Sequence, residues 1–150
     1  MKISSLLEKK GSELFKIDSR QSVFDAIQLL NQKKIGSLLV MNDEKKLEGI
    51  ITERDILNKC LVVDKNSKET KVFEIMTTKE DLIIGTADDT VSYAMKVMTN
   101  RRIRHLPIVD HEKVIGLVSI GDILKKILEE SETEVKLLRE YITNPYGINL

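Results

Sequence analysis

The chain repeats itself, and the repeat limits what it can fold into. Residues 22–45 match residues 90–113 at an offset of 68. After one extra turn residue, Lys46, residues 47–61 match at an offset of 67. On this register Val23 falls on Val91, Ala26 on Ala94, Ile35 on Ile103, Leu38 on Leu106 and Gly49 on Gly116. Each half ends alike, in Gly49-Ile50-Ile51-Thr52-Glu53-Arg54-Asp55-Ile56-Leu57 and in Gly116-Leu117-Val118-Ser119-Ile120-Gly121-Asp122-Ile123-Leu124. Both stretches read as an apolar strand running through a hydroxyl residue into a helix, with an Asp three positions after the hydroxyl. A one-residue insertion in a polar turn is where a repeat tolerates one. Half of a 150-residue chain is too small to bury a comfortable core, so the halves are expected to pack on each other, sheet against sheet.

Local patterns fill in each half. Ser22 precedes Val23, Ala26, Ile27, Leu29 and Leu30, which is helical spacing with an N-cap in front of it. Thr90 stands in the same place before Val91, Ala94, Met95, Val97 and Met98. Two apolar strands follow in each half, 37–41 and 47–51 around a polar turn, then 106–109 and 114–118 around another. Pro107 sits near the start of its strand, where a missing donor is tolerated. Short extended pieces are expected at Leu14–Ile17 and Leu82–Ile84. Ser4 or Ser5 is expected to cap a short helix through Lys10, ended by Gly11. Residues 62–71 are a polar connector and 71–77 a short helical lead-in. Residues 129–141 read as a charged extension of the helix that starts near Ser119, broken at Asn144-Pro145. Its Val135, Leu137, Leu138 and Tyr141 offer a surface to a partner or a second subunit. The organisation is thus 1–62 for the first repeat with its N-terminal segment, 63–71 for the connector, 72–130 for the second repeat, and 131–150 for the extension and tail.

Composition removes several function classes. Twenty-four basic residues balance 24 acidic ones, so no general charge draws the chain to nucleic acid or to an anionic membrane. The single cysteine, Cys60, permits no internal disulfide and fits a reducing compartment; it reads as a core thiol. With only His105 and His111 beside it, ligands for structural zinc are too few. No apolar run approaches the ~20 residues a membrane helix needs, and the N-terminus lacks a signal-peptide core. The default is a cytoplasmic protein. No nucleophile–base–orienter set and no Walker-type loop stand out, and Glu53 and Asp55 face apart on a helix, so no enzyme is expected. His111 reads as an exposed turn residue, and Met76, Met95 and Met98 as core.

The doubled strand–turn–strand unit ending in Gly, two apolar residues, Ser or Thr, and Asp resembles the CBS-domain family. Val72-Phe73-Glu74-Ile75-Met76-Thr77 resembles the lead-in common before such repeats, and Arg104-His105-Leu106-Pro107-Ile108-Val109 resembles one of its strands. The resemblance covers roughly residues 3–128. It implies an α+β fold: a tandem CBS-domain pair of two β-α-β-β-α repeats with pseudo-two-fold symmetry. Such pairs commonly dimerise into a disk. They bind adenosyl ligands: AMP, ADP, ATP, S-adenosylmethionine or NAD(H). The chain looks like a stand-alone pair.

Thr52 with Asp55, and Ser119 with Asp122, carry two readings. One is a helix capping box. The other, implied by the resemblance, is a nucleotide site in which the hydroxyl meets phosphate at a helix N-terminus and the Asp accepts the ribose hydroxyls. Arg104 and His105, just after Arg101 and Arg102, are either cations complementing a helix end or, at the family's positions, the phosphate clamp. The first repeat has Gly36 and Ser37 there, leaving Lys33, Lys34 and Arg54 to compensate. The two clefts are therefore expected to be unequal. The cleft of Arg104, taken together with Ser119 and Asp122, should favour the more phosphorylated ligand. Ile17 and Ile84 are candidate adenine walls, or plain core. Two functions remain open. One is a regulatory nucleotide sensor, homodimeric, acting on an unidentified partner without touching nucleic acid or membrane. The other is a structural homodimerisation module with vestigial clefts.

Overall fold

A computed structural model describes residues 1–10 and 14–143. Along the chain run α1 (Ile3–Lys10), β1 (Lys16–Asp18), α2 (Val23–Lys33), β2 (Ser37–Met41), β3 (Leu47–Thr52), α3 (Glu53–Ile56), α4 (Val72–Ile75), β4 (Thr77–Thr78), α5 (Val91–Arg101), β5 (His105–Asp110), β6 (Lys113–Ser119) and α6 (Ile120–Thr143). A π-helical turn, Leu57–Leu61, prolongs α3. Among the described residues no helix is long and apolar enough to cross a membrane.

The repeat is carried down to its caps. The Ser22 hydroxyl accepts the Asp25 amide at 3.0 Å and the Asp25 carboxylate accepts the Ser22 amide, closing a capping box at the start of α2. Thr90 caps α5 through the Tyr93 amide at 3.0 Å. Both helices stop on a left-handed residue, Lys34 and Arg102, each with φ 55°. Each following hairpin has its register shift at the same place, Val40/Met41 and Ile108/Val109. The inserted Lys46 is absorbed in the first turn. There Lys45 takes φ 61°, and the Asn42 side-chain carbonyl accepts the Glu44 and Lys46 amides at 3.0 Å each.

The first sheet is ordered β1-β2-β3-β4, with β1 parallel to β2 and the rest antiparallel; the second is the β5-β6 hairpin. The extended piece expected at Leu82–Ile84 does not form. The second repeat has instead one parallel bridge, Gly85 to Ile108, held by Gly85 N–H to the Pro107 carbonyl (2.8 Å) and Val109 N–H to the Gly85 carbonyl (2.9 Å). At the offset of 68 the mate of Ile17 is Gly85, one residue later than the expected strand. The N-terminal helix also differs in detail. It begins at Ile3, so Ser4 and Ser5 lie within its first turn, and the Ile3 amide is satisfied by the Asp89 carbonyl at 2.9 Å. Gly11 and Asn144-Pro145 lie outside the described residues.

The described residues form two cores, and each borrows a helix from elsewhere in the chain. Val23, Ala26 and Leu30 of α2 pack with Leu38, Val40 and Ile51 of the first sheet, and the connector helix α4 adds Val72 and Ile75. Val91, Ala94 and Met98 of α5 pack with Leu106, Ile108, Val118 and Ile123, and α1 adds Ile3 and Leu6. The exchange extends to the caps. Lys71 forms a bridge with Ser22, and Lys2 with Thr90. In sequence α1 precedes the first repeat and α4 the second; in space each completes the other one. Leu39 and Pro107 are repeat mates, and both are buried although they point away from their own helices. Both sheets are thus covered on that face too, in line with the expected sheet-on-sheet packing. Truncating a fully buried residue such as Leu38 should cost about 2–5 kcal/mol.

Candidate functional site

The start of α3 is built by a reciprocal cap. Thr52 leaves β3 in extended geometry, its hydroxyl accepts the Asp55 amide at 3.1 Å, and the Asp55 carboxylate accepts the Thr52 amide at 3.1 Å. Ser119 and Asp122 form the same pair, with distances of 3.1 and 2.9 Å. The capping reading and the ligand reading are compatible. A hydroxyl that accepts an amide still has its own proton to donate, and a carboxylate has about four acceptor positions.

Asp55 has further partners. Lys59 Nζ lies 3.0 Å from Asp55 Oδ1 and also donates to the Ile75 carbonyl at 3.2 Å. The Thr77 hydroxyl is 3.4 Å from the same carboxylate, a long contact. The buried Asp55 therefore joins the start of α3 to β4 and, through Lys59, to the end of α4.

A cavity of about 540 Å³ opens at this point, within the range of roughly 300–1,000 Å³ usual for small-molecule sites. Thr52, Glu53, Arg54 and Asp55 form one wall. Strand β4 and the residues after it contribute Thr77, Asp81, Leu82 and Ile83. The opposite side comes from the second repeat: Arg102, Ile103, Arg104 and His105. Three arginines thus meet two hydroxyls, three carboxylates and apolar side chains. This suits a ligand with an anionic end, a polyhydroxyl middle and a flat apolar end.

The structure corrects the expected grouping. Arg104 and His105 line the cavity with Thr52 and Asp55, and Ser119 and Asp122 do not line it. Within its own repeat the backbone does bring Arg104 near Ser119: His105 sits opposite Ser119 in the β5-β6 ladder and the Ile120 amide bonds the Arg104 carbonyl at 2.9 Å. Across the repeats, however, an added side-chain carbon at Gly36 would sit 3.5 Å from the His105 ring and 3.9 Å from the Glu53 carboxylate carbon. The residues before the second hairpin therefore face the helix start of the first repeat. Two apolar candidates also move. Ile17 is buried in the first core, Ile84 is exposed, and neither lines the cavity, whose apolar side chains are Ile50, Leu57, Leu82, Ile83 and Ile103. Thr77, Asp81, Leu82 and Ile83 carry no site signal in the sequence, and Arg102 joins Arg104 and His105 in the cavity. Arg102 holds the left-handed position that ends α5, as Lys34 does for α2, but only Arg102 of the two lines the cavity. Cys60 is buried in the first core and His111 is exposed beside Asp110, as read from sequence.

Comparison with known proteins matches this architecture. The family model described as the CBS domain matches residues 11–66 and again 72–129. The chain is 37% identical over 150 residues to the CBS domain-containing protein CBSX3, mitochondrial, of Arabidopsis thaliana, covering 96% of this chain and 73% of that protein. The crystal structure of the CBS domain NE2398 superposes with a TM-score of 0.79 at 43% identity, over 85% of this chain and 98% of the other. The CBS domain pair of protein MJ0100, solved in complex with 5′-methylthioadenosine and S-adenosyl-L-methionine, gives a TM-score of 0.75 at 27% identity, over 87% of this chain and 98% of the other.

Proposed function

The chain belongs to the CBS-domain family as a tandem pair of repeats, and on that premise we propose that it is a regulatory module, not an enzyme, that senses adenine-nucleotide state. The ligand is AMP, ADP or ATP, or a related adenosyl compound such as S-adenosylmethionine or NAD(H). The observation that carries the reading is the cavity shared by Thr52–Asp55 and Arg102–His105. In it Thr52 donates to a phosphate, Arg104 and His105 neutralise that phosphate, Asp55 accepts the ribose hydroxyls, and Leu82 and Ile83 cover the base. The adenosyl ligands held by the MJ0100 pair support this chemistry. Filling the cavity ties the two repeats together, and a change in their relation is what a regulated partner protein reads. Exposed Leu57 and Leu61, repeat mates of exposed Leu124 and Leu128, support a homodimer. The lone cysteine favours the cytoplasm, although the Arabidopsis relative has a mitochondrial name.

One observation favours the second reading, a dimerisation module with vestigial clefts: the Asp55 carboxylate is already engaged by Lys59 at 3.0 Å. Thermal melting separates the two. A sensor gains RT ln(1 + [L]/Kd) of stability from its ligand, so its melting temperature climbs with nucleotide concentration. A melting temperature unmoved by AMP, ATP, S-adenosylmethionine and NADH at millimolar levels rules the sensor out.

A further inference from the structure

Helix α6 outruns the repeat. The helical segment that follows the hairpin of the first repeat ends at Leu61, whose mate is Leu128. Yet α6 continues without a break to Thr143. Its 24 residues span about 36 Å at 1.5 Å per residue. Only Ile123 is fully buried against the second core, and every described residue from Glu130 onward is exposed. About 100° round the helix from Ile123 runs a second apolar line: Leu124, Leu128, Val135, Leu138 and Ile142, all exposed, with Ser131 completing it.

The spacing along that line is 4-3-4-3-4, the heptad rhythm of a coiled coil. Leu128, Val135 and Ile142 take the a positions, and Leu124, Ser131 and Leu138 the d positions. β-Branched Val135 and Ile142 at a with Leu124 and Leu138 at d favour two parallel strands, while Leu128 at a and Ser131 at d depart from that pattern. The flanking charges choose the same orientation. In a parallel in-register pair Glu134 meets Arg139 of the second copy, twice by symmetry. An antiparallel pair that keeps all six layers matched would instead set Glu134 against Glu134, Glu132 against Glu132 and Lys125 against Arg139. Every one of those contacts repels.

We propose that α6 from Leu124 to Ile142 forms a parallel two-stranded coiled coil with a second copy of this chain. The globular core nucleates the helix, so the seam pays no separate nucleation penalty. This rests on the homodimer put forward above, which Leu124 and Leu128 also support, and extends it past the second repeat along Val135, Leu138 and Ile142; the substitutions below fall in that extension, so the two ideas can fail separately.

The test is sedimentation equilibrium of the full chain, with circular dichroism to confirm that each variant is folded. Leu138 is exposed, so Leu138→Glu leaves the core intact. It should raise the dimer dissociation constant at least about tenfold. Glu134→Arg should also weaken the dimer, and Glu134→Arg with Arg139→Glu should restore it. Because Cys60 is fully buried, Leu138→Cys places a single reactive thiol on the seam, which should link two chains on mild oxidation. A wild-type dimer indifferent to Leu138→Glu overturns the coiled coil and leaves dimerisation through the repeats standing. A dimer weakened by Leu138→Glu that never forms the 138–138 crosslink overturns the parallel arrangement. A wild-type chain that stays monomeric overturns both ideas.

Discussion

Adding one methyl group at Gly49 should unfasten β4 from β3. A Cβ there would lie 2.2 Å from the Thr77 carbonyl oxygen and 3.2 Å from its carbon. Backbone cannot rotate out of the way as a side chain can, so β4 must move off β3 by about an ångström. That breaks the pairing of Gly49 with Thr78 and Ile50 with Thr77, at about 1 kcal/mol for each hydrogen bond lost. Overpacking strain adds about 1–3 kcal/mol, and the stiffer unfolded chain returns about 0.4–1 kcal/mol. The net loss is about 2–4 kcal/mol, or roughly 5–15 °C in melting temperature for a domain of this size. Gly116, its repeat mate, provides the control. A Cβ there meets Leu7 Cδ2 at 2.3 Å, the free end of a side chain that can turn aside. Gly116→Ala should therefore cost about 1 kcal/mol or less. Urea unfolding of the two variants measures both values. Equal losses, or a loss below about 0.5 kcal/mol for Gly49→Ala, would refute the assignment of these glycines as seats for unlike neighbours. Because Thr77 also lines the cavity, Gly49→Ala should weaken nucleotide binding as well.

Two further outcomes follow from local geometry. In the β5-β6 turn both His111 and Glu112 have positive φ, 46° and 66°, so Glu112→Gly should raise stability by about 0.5–1 kcal/mol in urea unfolding; an unchanged or lower midpoint contradicts this. Asp18 is bonded by Arg20 at 3.0 Å, and the guanidinium, itself also bonded to Asp43, lowers the Asp18 pKa to about 2. A lowered folded-state pKa means stability that is present above the unfolded value of 3.8 and lost as pH falls toward 2. A carboxyl titration followed by NMR should show the Asp18 midpoint rising in Arg20→Gln, part of the way only because the amide of residue 20 still donates to Asp18 Oδ1 at 2.8 Å, and an unmoved midpoint would show that the guanidinium is not the cause.

What was legible in the sequence was whatever a local pattern or the repeat could carry. Ser22 and Thr90 announced their helices because a hydroxyl precedes an apolar stripe of helical period. The hairpins, the capping pairs and the continuity of α6 were legible in the same way. The exchange of α1 and α4 between the cores was not, since Ile3 and Val72 look alike whichever core they enter. The grouping of Arg104 with Thr52 was hidden for the same reason. It depends on how one repeat faces the other, while local sequence shows only that Arg104 is near Ser119. Ile84 was chosen one residue out of register, and the repeat offset itself points to Gly85.

The measurement that bears most directly on the central claim is calorimetric titration of AMP, ATP, S-adenosylmethionine and NADH into wild type, Asp55→Ala, Arg104→Ala and Asp122→Ala. If one cavity is shared across the repeats, at least one ligand binds saturably. Asp55→Ala and Arg104→Ala, from different repeats, then weaken the same site by about tenfold or more, each having lost a charge-assisted hydrogen bond, while Asp122→Ala leaves that site intact. A ligand whose binding falls with Arg104→Ala and Asp122→Ala but not with Asp55→Ala, or no binding heat from any of the four, would contradict the account.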